Sequence, residues 1–296
     1  MRAARIQLHI AVLLFGVAGL FGKLVPVDAA VIVFGRTVFA AIAILTGLKI
    51  FRMSLALESR KSLLLLLISG VVLAAHWVTF FHAIQISTVA IGLIGFATFP
   101  VFVVFIEPLI SGQKIRAVDL ASTALVVVGL LLVAPAFSLS DQGLVGLLWA
   151  VVSGATFAVL TLLNRHLVQG QPSMVVVFYQ HSTAALCLLP FILQQSMNLD
   201  RSSFWLLMIL GVLCTALPQT LFIQSLSVLK AQFVSVVTAL EPVYGILLAV
   251  LILNEIPDLS TLLGAAIVIG AVILAMTAHS ETANAGKGKA GAEQNN

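Results

Sequence analysis

The sequence predicts an all-α membrane protein of ten transmembrane helices arranged as two inverted five-helix repeats. Three observations predict it: an apolar composition, ten hydrophobic runs long enough to cross a bilayer, and a match between the first and second halves of the chain. Hydrophobic residues make up 61% of the chain and charged residues 9%, with mean hydropathy +1.17, whereas a soluble domain carries about 25% charged residues. An ordinary soluble domain is excluded on that ground. Cys187 and Cys214 lie inside apolar runs, so they read as packing residues and offer neither a disulfide framework nor a CxxC-type metal or redox site.

In chain order the runs are Leu8 to Val25, Ala29 to Ile50, Ser62 to Ile84, Thr88 to Ile106 and Ala117 to Pro135, then Gly143 to Leu163, Ser173 to Leu193, Phe204 to Gln224, Ala231 to Leu253 and Leu259 to Ala278. Arg2 and Arg5 precede the first run as they would in a signal peptide. No small-x-small cleavage site leads into a soluble mature domain, so the run reads as a retained first helix. The connections are short, and residues 281–296, rich in Ala, Gly, Lys, Glu and Asn, read as a disordered tail.

Basic residues near helix ends stay on the cytoplasmic side. With the N-terminus inside, Arg2, Arg5, Lys49, Arg52, Arg60, Lys61, Lys114, Arg116, Arg165, Lys230, Lys287 and Lys289 are all cytoplasmic, and only Lys23 and Arg201 are left outside. Both termini are therefore expected in the cytoplasm of a cell carrying this chain in its inner or plasma membrane. The same asymmetry accounts for a pI near 9.3 without nucleic acid as a partner.

The ninth run is the one around which the others are arranged. Phe233 to Leu253, FVSVVTALEPVYGILLAVLIL, carries Glu241-Pro242 in the middle of an otherwise apolar stretch. About 20 residues at 1.5 Å rise span roughly 30 Å of hydrocarbon, which sets Glu241 near the midplane. A carboxylate there costs several kcal/mol unless it faces protein or water. Pro242 adds a missing backbone donor. Both costs are smallest beside a polar cavity.

A shift of 142 residues places Phe15 on Phe157, Lys23 on Arg165 and Pro100-Val101 on Pro242-Val243. A shift one residue shorter superimposes VVVGLLLVA on IVIGAVILA, and one two residues longer places Phe34-Gly35-Arg36 on Phe178-Tyr179-Gln180. Residues 1–140 and 141–280 are thus expected to form one five-helix repeat each. An odd number of spans per half inverts the second relative to the first, a plan shared by many secondary transporters.

Ten spans in two halves, the helix LEPVYGILLAVLILNE from Leu240 to Glu255, and its first-half counterpart FPVFVVFIEPLISGQ from Phe99 to Gln113 resemble the EamA family of the drug/metabolite transporter superfamily. The resemblance covers both halves as far as Ala278. It implies inverted repeats around a central cavity and the export or exchange of small metabolites, often amino acids. The acidic residue that such proteins often carry just after the proline helix is present as Glu255 but is Gln113 in the first half, so any role for that acid falls to Glu255 alone.

Polar residues within the spans are the candidates for function. Arg36, about two turns into the second helix, reads either as a structural or snorkelling cation or as a cavity residue whose planar fork meets a substrate carboxylate. Its repeat counterpart is Gln180, with His181 beside it. Glu241 reads as the partner of a solute ammonium, as a proton-exchanging group, or as a carboxylate satisfied by Tyr244 or Gln232. Pro100 and Pro242 read as kinks that shape gating.

In the third helix, AAHWVTFFHAIQ places Trp77, Phe81 and Ile84 on one face and His76, Phe80 and Ala83 on the adjoining one. Phe81-His82 fits an interfacial belt, whereas His76 lies deeper, as a packing group, a proton relay or a ligand contact. Gln219, matched to Trp77 by the repeat, offers a polar counterpart in the eighth helix. The glycines of FGVAGLFGK and AIGLIGFATFP permit close helix packing. Glu107-Pro108 reads as a gate or loop anchor, with Lys114 or Arg116 in reach of the acid.

Three function classes compete. A secondary transporter accounts for the repeat and the midplane charge, and no Walker loop is present for ATP-driven transport. A membrane enzyme lacks any HExxH or gathered nucleophile-base set. A channel would show unsaturable flux and a scaffold none. The transporter is the expectation, not an enzyme, with no cofactor and no metal. Its partners would be a small-molecule substrate and membrane lipids, with homodimerisation left open. An amino-acid-like zwitterion would bind between Arg36 and Glu241, with Trp77, Phe80 and Tyr244 as apolar walls.

Overall fold

The computed structural model describes residues 2–57, 59–111, 115, 117–133, 141–194, 199–229, 234, 237–238 and 240–274, and all regular structure among them is helical. In the first half lie α1 (Arg2–Leu24), α2 (Ala29–Ile50), α3 (Arg60–Ile86), α4 (Val89–Phe96), α5 (Phe99–Ser111) and α6 (Ala117–Val133). The second half holds α7 (Gln142–Leu167), α8 (Ser173–Ile192), α9 (Arg201–Gly211), a π-helical turn (Val212–Ala216), α10 (Leu217–Val228) and α11 (Glu241–Leu253), followed by α12 (Leu259–Leu274).

Among the described residues seven helices, counting α4–α5 as one and α9–α10 as one, are long and apolar enough to cross a bilayer. The shorter apolar helices α6, α11 and α12 fall within the other three expected spans. Chain composition and helix length together make this a multi-pass membrane protein. Outward-facing side chains agree: Leu64, Val71, Leu125, Val127, Leu131, Leu186 and Leu251 are exposed aliphatics that lipid, not water, would cover. The expected tail at 281–296, most of the ninth span before Leu240 including Gln232, and Gln113, Lys114 and Arg116 lie outside the described residues.

Short polar side chains start the helices where the chain leaves the apolar layer. Ser59, Thr88, Asp141 and Asp200 each accept a hydrogen bond from the backbone N–H three residues on, at 3.0–3.1 Å, and Asp258 does the same for Thr261 at 2.7 Å. Asn254 ends α11 in the left-handed region (φ 56°, ψ 26°), a conformation Asn tolerates better than most residues.

The closest helix pairings run between the halves. α3 packs on α7 and α8, α4 on α7, α2 on α8 and α9, and α1 on α10 and α11. Exchanging first-half spans for their second-half equivalents maps this pattern onto itself: α3 with α7 becomes α10 with α1, and α4 with α7 becomes α11 with α1. Two glycines permit the matching close approaches. A Cβ on Gly16 of α1 would stand 3.0 Å from the Gly245 nitrogen of α11, and one on Gly154 of α7 would stand 3.0 Å from the Phe96 carbonyl oxygen at the end of α4.

The expected kinks take another form. Pro100 and Pro242 are the second residues of α5 and α11, where a missing N–H costs no helical hydrogen bond. At Pro100 the fourth span breaks outright, because α4 ends at Phe96, Ala97 and Thr98 form a turn, and the Thr98 hydroxyl donates to the Gly95 carbonyl at 2.7 Å. Both prolines therefore start helices rather than bend them.

Candidate functional site

Phe96, the last residue of α4, and Glu241, the first of α11, face one space inside the bundle. There a void of about 30 Å³ is lined by Phe15 and Ala18 of α1, Arg36 of α2, His76, Trp77 and Phe80 of α3, Phe96 of α4, Phe157 of α7, Gln219 of α10 and Glu241 of α11. All of these but Phe15 are buried. Such a volume admits about one or two water molecules and no metabolite. A larger depression of about 340 Å³, between the end of α1 and the start of α2, is an open surface feature lined by Lys23, Asp28 and Gln85.

Arg36 is 2% exposed and is held on two sides. Its Nε donates to the Thr215 hydroxyl at 3.0 Å, and its guanidinium carbon lies 3.8 Å above the centre of the Trp77 ring, a cation–π contact. Thr215 can serve because the π-helical turn widens the chain there: the Leu217 N–H reaches back five residues to Val212, and the Thr215 hydroxyl donates to the Leu210 carbonyl at 2.7 Å. Pro218, with no N–H of its own, accounts for the interruption. Among the described residues, no acceptor takes the two terminal nitrogens of Arg36.

Glu241, 5% exposed, lines the same void. No ion pair closes between it and Arg36 among the described residues, so two buried opposite charges share one small space without touching. Each would be costly alone in a bundle core.

His76 stands between them and an aromatic cluster. Its Nδ1 lies 2.8 Å from the Ser153 hydroxyl and 3.1 Å from the Ser153 carbonyl oxygen. The hydroxyl in turn donates to the His76 carbonyl at 3.1 Å. A carbonyl only accepts, so this arrangement assigns the proton to Nδ1 and leaves Nε2 an acceptor. Phe80, Phe96 and Phe157 surround the ring at centroid distances of 4.9–6.2 Å.

The structure thus brings Arg36, Glu241, His76, Trp77, Phe80 and Gln219 to one void, and leaves three expected members outside its lining. Gln180 is fully buried elsewhere, its amide nitrogen bonded to the Ser69 hydroxyl at 3.0 Å and to the Asn164 side-chain oxygen. His181 sits behind Trp77, ring centroids 5.3 Å apart and edge-on, with Nδ1 on the Val177 carbonyl at 2.7 Å. Tyr244 is half-buried against Gly16 of α1. Phe81 also departs from expectation, being fully buried rather than set in an interfacial belt.

Missed by the sequence were Phe15, Ala18, Phe96, Phe157 and the supporting Thr215. Phe15 and Phe157 are the very pair matched by the 142-residue shift, and Pro218 was a readable signal for the altered turn. Away from the void, Arg165 meets Glu107 at 2.7 Å; the expected partners Lys114 and Arg116 lie outside the described residues. Glu255 caps α4 by accepting from the Val89 N–H at 2.9 Å, and Lys23 donates to the Ser87 and Gln85 carbonyls at the end of α3, at 2.6 and 3.3 Å.

The chain is 30% identical over 250 residues to the pseudopaline exporter CntI of Pseudomonas aeruginosa, covering 83% of this chain and 85% of that one. It is 24% identical over 286 residues to the uncharacterized transporter YxxF of Bacillus subtilis (strain 168), covering 95% and 92%. An uncharacterized transporter of Archaeoglobus fulgidus is 25% identical over 276 residues, covering 93% and 97%. A crystal structure of a protein 18% identical superposes with a TM-score of 0.68 over 93% of this chain and 96% of that chain, which supports the fold alone. The sequence profile of the EamA-like transporter family matches twice, at residues 4–134 and 144–277, and on that match the chain belongs to the EamA-like transporter family.

Proposed function

We propose that this protein is a secondary transporter that exports or exchanges an amino-acid-like zwitterion across the inner or plasma membrane by alternating access. The observation that carries the reading is the unpaired meeting of Arg36 and Glu241 in one buried void. A zwitterion supplies both missing partners, its carboxylate to the free Arg36 nitrogens and its ammonium to Glu241. Trp77, Phe80, Phe96 and Phe157 offer apolar surface for the rest of the solute, and His76 Nε2 and Gln219 offer polar contacts.

The void of about 30 Å³ is too small for such a solute, so binding requires the walls to part. The wall helices come from both halves, which supports rocking of one half against the other as the opening motion. The twice-matching family profile and the helix pairings that map onto themselves when the halves are exchanged support ten spans in two inverted repeats. Export as the direction is supported by the relative named as an exporter, and cytoplasmic termini by the basic-residue asymmetry.

The test is flux of labelled amino acids into proteoliposomes containing wild type, Arg36→Ala or Glu241→Gln. Saturable flux in wild type, lost in both variants, is expected. Wild-type flux unchanged by either substitution would remove the charges from the site, and flux that does not saturate would favour a channel.

A further inference from the structure

Resting on the reading of Arg36 as the carboxylate-binding cation, we propose that Thr215 is the residue that aims it. An arginine can present its fork only in the plane its Nε bond and its stacking partner allow. Here the two constraints come from different helices. Thr215 takes Nε at 3.0 Å, and Trp77 lies beneath the guanidinium at 3.8 Å. Trp77 is in turn backed edge-on by His181, whose Nδ1–H is tied to the Val177 carbonyl.

Thr215 does not line the void. Its hydroxyl has one proton, which goes to the Leu210 carbonyl at 2.7 Å, so its oxygen is left to accept and nothing else. That one-way arrangement takes Nε as the bonded nitrogen and leaves both terminal nitrogens unbonded among the described residues, on a side chain that lines the void. It depends on the π-helical turn, because the bond to Leu210 runs back five residues. Thr215 is therefore a positioning residue that sets selectivity for a carboxylate, and His181 packs against the Trp77 ring on which the guanidinium rests.

The test uses Thr215→Val, which keeps the shape and loses the hydroxyl, and Thr215→Ser, which keeps the hydroxyl. One readout is the stabilisation of purified protein by L-leucine or L-alanine against their carboxamides, which lack the carboxylate charge. The second needs no ligand: the emission of Trp77 as sole tryptophan, after Trp149→Phe and Trp205→Phe, both on exposed positions.

Thr215→Val is expected to lower the preference for carboxylate over carboxamide about tenfold, the size of one lost charge-assisted hydrogen bond, and to shift Trp77 emission. Thr215→Ser should match wild type in both. The proposal is overturned if Thr215→Val matches wild type in emission and preference, or if Thr215→Ser is as impaired as Thr215→Val. If wild type responds to neither amino acids nor amides, the zwitterion reading fails separately, and the emission of the two variants alone decides whether Thr215 holds Arg36.

Discussion

Replacing Arg36 by Met should destabilise the protein strongly, and the loss should be less than additive when Glu241 is neutralised as well. The guanidinium is 2% exposed, with a 3.0 Å bond to Thr215 and a stack on Trp77. A hydrogen bond to a charged group contributes about 1.5–3 kcal/mol and a desolvated cation–π contact about 2 kcal/mol, so Arg36→Met should cost about 4 kcal/mol. That lies within the roughly 3–5 kcal/mol seen when one partner of a buried charge pair is removed. Leaving buried Glu241 without a counter-charge adds to that loss.

Glu241→Gln alone should cost about 2 kcal/mol. If the two groups stabilise each other across the void, the double variant should be about 1–3 kcal/mol more stable than the sum of the single losses requires. The measurement is SDS-titrated unfolding in mixed micelles followed by far-UV circular dichroism, chosen because Trp77 fluorescence is altered by the mutation itself. Additivity within about 0.5 kcal/mol would refute the claim that these charges are coupled, and would leave Arg36 held by Thr215 and Trp77 alone.

Three further outcomes are expected. The carboxylate of Asp200 is held below its ordinary range chiefly by the Ser203 hydroxyl and N–H, and that of Asp258 chiefly by the Thr261 hydroxyl and N–H; because both are lowered on folding, they stabilise the protein above the ordinary Asp range and that contribution is lost as pH falls through it. Asp200→Asn and Asp258→Asn should accordingly flatten the fall in thermal stability between about pH 5 and pH 3, and an unchanged slope in the double variant would contradict the assignment. Gly154→Val would press a Cβ within 3.0 Å of the Phe96 carbonyl oxygen and the Thr98 hydroxyl, so a loss of about 1–3 kcal/mol in the same unfolding assay is expected, against near-neutrality if α7 and α4 can part freely. Arg165→Gln removes a half-exposed ion pair and should cost less than about 1 kcal/mol, with an effect that shrinks in high salt.

Much of this site was legible because a charge in an apolar run is rare enough to stand out. Arg36, Glu241 and His76 were read for that reason, and Trp77, Phe80 and Gln219 through their neighbours or the repeat. What failed was the transfer from backbone to side chain. The repeat matches Gln180 to Arg36, yet Gln180 bonds Ser69 and Asn164, and it is His181 that meets Trp77, edge-on. Phe15, Phe96 and Phe157 carry no such signal, because an aromatic residue against lipid and one against a void look alike in hydropathy. Thr215 was invisible for another reason: its role comes from the extra residue in a π-helical turn, which shifts side chains off the 3.6-residue period on which helix-face arguments rest.

The smallness of the central void also bears on the cell's energy economy. A membrane pathway left open by even a thin file of water would let protons run down the potential that drives other transporters, at about 2.3 kcal/mol per charge for each 100 mV. In this conformation aromatic rings crowd the only buried polar groups of the lining into room for a molecule or two of water. A void of this size holds too little water to make such a file by itself.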